Sequence, residues 1–278
     1  MTHFLLVLVF LPLLLGFAPT SSLEGYSKVE KVIDLTEIGG NLSGITYNYD
    51  TQTYFLIQNN YGHIFEYDSS FSKPLRVIAM NNLEDKDTED IVYLGQEQYA
   101  IASETNKILI VTIKAGQTEI DLDAAREDVQ LFQLPEPNKK NLGLEGVCYS
   151  KRTNQFFAVQ EDKPKRLFRF TKPHDNLDYR DANDLNFDEP FDAFNKSGFF
   201  DIFKSKMADL SSCLFDERTG HLILMSHESS RLMELDAKGS IVRTLDLSTV
   251  VPQYEGMTIG PQKELILVSE PNSIVIMK

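Results

Sequence analysis

Five copies of one three-strand unit, running from residue 42 to the last residue, constrain this 278-residue chain more than any other feature. The copies open as LSGITYNYDTQTYFLIQNN at Leu42, TEDIVYLGQEQYAIASE at Thr88, LGLEGVCYSKRTNQFFAVQE at Leu142, LSSCLFDERTGHLILMSH at Leu210 and YEGMTIGPQKELILVSE at Tyr254. In each, a polar residue opens a first strand, a turn-rich segment follows, and an apolar strand ends in a second polar residue. A third apolar strand closes the unit. The opening positions lie 46, 56, 66 and 44 residues apart, close to the propeller repeat of about 40–50 with insertions.

A lone alternating strand, KVEKVIDLT, precedes the first copy, and the fifth copy ends after only three strands. That is the pattern of ring closure, which shields a sheet edge that would otherwise lie open. PLRVIAM from Pro74 and DVQLFQL from Asp128 supply similar single strands after earlier copies. The expected fold is therefore all-β: a five-bladed β-propeller over residues 28–278, with four-stranded antiparallel blades and the N-terminal strand joining the last blade. The first strand of each blade then lines a central channel.

Aligned across the copies, the opening position holds Ser43, Glu89, Glu145, Ser211 and Glu255, and the closing position Asn59, Glu104, Glu161, His227 and Glu270. Hairpin residues equidistant from a turn face one another, which sets Glu89 against Glu104, Glu145 against Glu161 and Glu255 against Glu270. Like charges directly opposed are destabilising. Three such pairs at one mouth of a channel call for a cation, shared protons or a separating hydrogen-bond role. Clustered carboxylate and amide oxygens without thiolates suit a hard cation, with calcium first. The competing reading is structural, with Glu145 and Glu255 bonding backbone N–H groups of the adjacent blade where Gly146 and Gly256 allow close approach.

At the same mouth His227 is a candidate base, metal ligand or charge partner of the acids. Asn59, and Lys163, Lys165 and Arg166 of the KPKR run after Glu161, are candidate ligand contacts; a solvated turn neutralising its own acids is the plainer reading of that run. No nucleophile elbow, P-loop or dinucleotide fingerprint is present.

A net charge of −14 repels phosphate backbones and anionic membranes, so nucleic acid is not an expected partner. The first 22 residues carry no Lys, Arg, Asp or Glu and a continuous apolar run. They read as a secretory signal, a retained N-terminal anchor being the alternative; the expected location is periplasmic or secreted. Cys148 and Cys213, the two cysteines, could pair across neighbouring units. Period-2 alternation points them to opposite strand faces, and buried free thiols are the reading that follows. The longest insertion, residues 171–207, is rich in Asp and Phe. Its Asp181-Ala182-Asn183-Asp184 lacks the Gly and terminal Glu of an EF-hand loop, and a short helical piece is expected near its end.

The segments LEGVCY, TNQFFAVQE and PKRLF, with the later TGHLILMS, YEGM and LVSEPN, resemble the bacterial SdiA-regulated family over roughly residues 29–278. The resemblance implies an exported, calcium-binding five-bladed propeller, distantly similar to propellers of NHL repeats. It maps onto Glu89, Glu145 and Glu255 at strand openings and Glu104, Glu161 and Glu270 at strand ends. Blades one and four depart from it through Ser43, Ser211, Asn59 and His227. The expected function is a monomeric calcium-binding module for an unknown small molecule or protein. The alternative is a calcium-dependent hydrolase of lactonase, esterase or phosphoesterase type.

Overall fold

The computed structural model describes residues 20–83, 87–123, 129–134, 143–161, 165–171, 206–247 and 249–278. Residues 1–19, Lys163 and nearly all of the acidic insertion, including the Asp181-Ala182-Asn183-Asp184 stretch and all but the last two residues of the expected helical piece, lie outside them.

The chain forms a five-bladed β-propeller. The first blade contains β2 (Leu42–Asn48), β3 (Thr53–Gln58), β4 (His63–Tyr67) and β5 (Arg76–Asn81), and the second β6 (Thr88–Gly95), β7 (Gln98–Ser103), β8 (Lys107–Thr112) and β10 (Gln130–Gln133). The third contains β11 (Leu144–Ser150), β12 (Gln155–Gln160) and β13 (Arg166–Thr171), three strands among the described residues. The fourth contains β14 (Ser212–Asp216), β15 (His221–Ser226), β16 (Arg231–Leu235) and β17 (Ile241–Asp246). β18 (Gln253–Ile259), β19 (Leu265–Glu270) and β20 (Ser273–Met277) make the fifth, completed by β1 (Val29–Asp34), which pairs antiparallel with β20 from Val29↔Met277 to Asp34↔Ser273. The expected closure is thus observed.

The first blade carries an addition to its four antiparallel strands. The connection between β8 and β10 carries β9 (Glu119–Asp121), which adds to β5 in parallel as a fifth strand of the first blade. That excursion is long enough to reach back and cover an edge that would otherwise present unpaired N–H and C=O groups.

Each blade buries both faces. In β3, Phe55 and Ile57 pack toward the second blade while Leu56 packs toward the fifth. In β15, Leu222 and Leu224 face the third blade, whereas Ile223 and Met225 face the fifth. Five apolar clusters result, one per interface. Two-sided burial explains why the middle strands read as unbroken apolar runs (YFLI, YAIA, LILM, LILV) instead of alternating with polar residues.

The same geometry settles the cysteines. Cys148 and Cys213 are both free and buried. Their opposite strand faces bring them into one cluster between the third and fourth blades, because adjacent blades present opposite faces to each other.

The inner strands β2, β6, β11, β14 and β18 contact one another in a closed circle. One residue beyond the opening position they come together at Gly44, Asp90, Gly146, Ser212 and Gly256. A Cβ on Gly256 would lie 2.7 Å from the Ser43 carbonyl oxygen and 2.9 Å from Gly44 Cα, and one on Gly146 2.8 Å from Ser212 Cα. The buried Asp90 carboxylate fills this layer, accepting the Val147 N–H (3.1 Å) and the Ser212 hydroxyl (3.3 Å) from the next two blades. The channel is closed there.

Ahead of β1, residues 20–26 are tied to the fourth and fifth blades. Ser21 Oγ (2.5 Å) and the N–H groups of Ser22 (2.6 Å) and Leu23 (3.2 Å) donate to the buried carboxylate of Glu234.

The closed layer has a measurable consequence. Gly256→Ala forces backbone against backbone, and overpacking of this kind costs about 1–3 kcal/mol. The thermal midpoint is expected to fall by roughly 2–4 °C per kcal/mol in a domain of this size. An unchanged midpoint in a thermal melt would show that the floor yields freely.

Candidate functional site

The mouth above this floor gathers the acids predicted to meet there, by a different register from the one their spacing suggested. Ser43, Glu89, Glu145 and Glu255 are each the extra residue of a β-bulge, skipped between Leu42 and Gly44, Thr88 and Asp90, Leu144 and Gly146, and Tyr254 and Gly256. Ser211 does the same ahead of β14, donating its N–H to the Met225 carbonyl that Ser212 already opposes. The paired partner of each closing residue is therefore two positions before the opening one. Asn59 N–H bonds Asn41 O (2.8 Å), Glu104 N–H bonds Asp87 O (3.0 Å), and Glu270 opposes Gln253. The expectation that Glu89 faces Glu104, Glu145 faces Glu161 and Glu255 faces Glu270 is corrected accordingly. A bulge inserts one unpaired residue and re-aims its side chain, here into the channel mouth.

The bulged glutamates still converge with the closing ones. Carboxylate oxygens of Asp87, Glu89 and Glu104 lie within 4.8 Å of one another, and so do ligand atoms of Glu161, Asp209 and His227. Asn59 Nδ2 donates to Glu89 (2.7 Å). His227 Nδ1 lies 2.8 Å from Asp209 and 3.8 Å from Glu255, so it is held as a charge partner of the acids. Asp209, buried, also accepts the Ser226 hydroxyl and the Glu228 N–H (3.2 Å). Arg166 opens β13 opposite Gln160, at the same end of the third blade as Glu161, and Lys165 directly precedes it.

Asp87 and Asp209 belong to the site, although the spacing argument passed over them. A signal was present: the column two residues before the opening position reads Asn41, Asp87, Gly143, Asp209 and Gln253, polar in four copies of five. The competing structural reading gave Glu145 and Glu255 backbone N–H groups of the adjacent blade; Asp90 takes one such group, the Val147 N–H. Among the described residues, Glu145 accepts no hydrogen bond.

Charge crowding appears in the ionisation of the site. Burial, reinforced by the charges of Asp87 and Glu104, raises Glu89 well above the usual carboxylate range. Burial, with the charges of Glu89, Glu161 and Glu255, does the same to Glu145. Burial pushes Glu255 up to about 7 against the opposing charge of His227, and Glu270 is raised for the same reasons. Burial pulls His227 down, but the Asp209 hydrogen bond and the charges of Glu255, Asp209 and Glu161 outweigh it and carry it to about 9.

The arrangement is thus a five-bladed propeller whose channel ends in an acidic well, closed beneath by glycines and a buried aspartate. Over residues 21–278 the chain matches the SdiA-regulated family, and it belongs to that family. Its fold is similar to that of a glutaminyl cyclase from Myxococcus xanthus, with 10% identity and a TM-score of 0.56 over 90% of this chain and 95% of that one. It is also similar to a luciferin-regenerating enzyme, with 14% identity and a TM-score of 0.53 over 89% of this chain and 95% of that one. At these identities the likeness is one of fold.

The raised carboxylates set the sign of a pH effect in chelator-treated protein. In the unfolded chain glutamates release protons near about 4.3, while in the fold they keep them to higher pH. Between these values the unfolded state binds fewer protons, and stability falls as pH rises, through about 7 for Glu255. The His227 contribution, complete below its ordinary value of about 6.5, is lost as pH rises through about 9. Glu145→Gln is therefore expected to gain stability over the wild type as pH rises from 5 to 9, by urea midpoints. A constant difference across that range would contradict the raised ionisation.

Proposed function

We propose that this is an exported propeller that binds calcium in the acidic well, and that the filled well and its loops form the recognition surface for a small molecule or protein ligand. The observation that carries the reading is Glu145. It is a partly buried carboxylate with no hydrogen-bond donor among the described residues, facing the charges of Glu89, Glu161, Glu255 and Glu104. Such a group must remain protonated or meet a cation. Asn59 supports the second course, since its buried Oδ1 has no hydrogen-bond partner among the described residues while its Nδ2 is spent on Glu89. The donors are oxygens throughout, which fits a hard cation of flexible coordination.

Glu89, Glu145, Asp87 and Glu104 would hold the ion with the Asn59 carbonyl, and Glu255, Glu270 and Glu161 would share the remaining charge with His227. A bound calcium ion would supply fixed positive charge able to polarise an oxygen of whatever enters the mouth. The serines of the well are committed to other groups, Ser43 Oγ to Asn41 O (3.4 Å) and Ser211 Oγ to Tyr254 O (2.9 Å), so neither is an activated nucleophile. This favours binding over acyl transfer through a serine.

One observation favours a second reading, calcium-dependent hydrolysis. His227 is oriented by the buried Asp209 beside the carboxylates, as an imidazole working on water would need to be. A panel of lactones, aryl esters and phosphomonoesters separates the two. Turnover dependent on calcium and lost in both Glu145→Gln and His227→Gln would establish hydrolysis, and turnover at background would establish binding alone.

Calcium binding itself is checked by titrating the ion into chelator-treated protein with magnesium as control. A ligand specific to the native state adds about 2.7 kcal/mol at a hundredfold excess over Kd. The expected result is a saturable rise in thermal midpoint with calcium that Glu145→Gln abolishes. A flat response to both ions would overturn the proposal.

A further inference from the structure

We propose that the opposite mouth of the channel is a second binding site, separate from the acidic well, for a small planar aromatic anion. The five inner strands run from the well to this mouth, and four of them carry an aromatic ring within two residues of their last: Tyr47, Tyr93, Tyr149 and Phe215. With Tyr49 and Lys151 they line a cavity of about 340 Å³, at the small end of the range that encloses organic ligands. The well lies roughly 13 Å away, four residues up each inner strand at about 3.3 Å per residue. Between them stand the closed glycine layer and the buried side chains of Ile45, Ile91, Val147, Cys213 and Met257. A molecule in one mouth does not touch the other.

The walls are set before anything binds. Tyr47 packs on Tyr54 with ring centroids 4.9 Å apart, Tyr49 meets Tyr93 edge-on at 5.0 Å, Tyr149 packs on Phe156 at 4.7 Å, and Phe215 stacks on Phe157 at 5.4 Å. The phenols of Tyr93 and Tyr149 donate to Asp50 and to Asn154 (2.9 Å), which fixes the rings and leaves their faces toward the cavity apolar. Rigid aromatic faces of this kind favour a flat ring over a flexible chain, because little freedom is lost when the two stack.

At the rim the carboxylates are already engaged by the protein's own donors, while a cation stands open to a guest. Asp216 is held by Arg218 at 2.8 Å, Asp50 accepts the Tyr93 hydroxyl, and Glu217 accepts the Lys151 N–H (2.5 Å) and the Arg152 N–H (3.3 Å). The Lys151 ammonium is exposed, lies 5.3 Å from the Tyr49 ring centroid, and forms no ion pair among the described residues. A carboxylate carried by a ring stacked between Tyr49 and Tyr149 meets this ammonium. A cationic guest would have to displace Lys151 from Tyr49 and bring two positive charges together.

The test is isothermal titration of the full protein with naphthalene-2-carboxylate. Naphthalene-2-carboxamide, benzyltrimethylammonium and methyl glucoside serve as neutral, cationic and sugar probes. The expected result is saturable 1:1 binding of the carboxylate, about tenfold tighter than the carboxamide. Lys151→Met should reduce it to the level of the carboxamide, Lys151→Arg should keep it, and Tyr49→Ala should weaken it about tenfold. Both side chains are exposed, so these variants keep the fold. Glu145→Gln, in the other mouth, should leave binding unchanged. Equal binding of the carboxamide, preference for the cation or the sugar, loss in Glu145→Gln instead of Lys151→Met, or no saturable binding up to millimolar probe would each overturn the proposal.

Discussion

Every blade of this protein is apolar on both faces, and the rest of the structure depends on that. A sheet with one apolar face can be covered by a single neighbour, but a sheet with two needs a neighbour on each side. A row of such sheets ends only by closing on itself. The closing contact is the β1–β20 ladder, which joins the two ends of the described propeller within one sheet. With the ring shut, each of the five interfaces holds a buried cluster of its own.

Closure with only five blades draws the inner strands close together, and the residues of those strands follow from this. Glycine occupies the layer where a Cβ would collide with the next blade's backbone, and Asp90 fills the remaining space by bonding across two blade interfaces. The closed layer turns a channel into two separate mouths of opposite character. Above it, β-bulges aim glutamates into a shared well where burial, and then their mutual charge, holds protons on. Below it, aromatic rings near the ends of the same strands surround a cavity with the Lys151 ammonium, unpaired among the described residues, at its rim. One device, the close approach of the inner strands, thus produces both the crowded acids and their isolation from the other end.

Much of the site could be read before the fold was seen. The repeat aligned Glu89, Glu145 and Glu255 in one column and Glu104, Glu161 and Glu270 in another, and one mouth does collect them. The register failed by the width of the bulge. A bulge adds a residue without changing the polarity pattern, so counting outward from a turn cannot detect it. That slip hid Asp87 and Asp209, although their column was polar in most copies. The cysteines are the buried free thiols that the sequence suggested, but their placement needed the fold. Alternation placed them on opposite strand faces correctly, but whether opposite faces diverge or meet depends on how blades stack, which no single strand records. The aromatic mouth was missed because Tyr47, Tyr93, Tyr149 and Phe215 read as ordinary core positions along each strand, and their convergence exists only across five strands.

The sequence by itself determined the number of blades, the order of their strands, the N-terminal strand that closes the ring and the two columns of polar residues, because each is written in a local period that repeats. Only the tertiary structure decided which carboxylates face which, that Asp90 and the glycines seal the channel, and that Lys151 stands over Tyr49 at a second mouth. Those contacts join residues on different blades, and their distances are set by the radius at which five two-faced sheets close, a quantity that no one repeat carries.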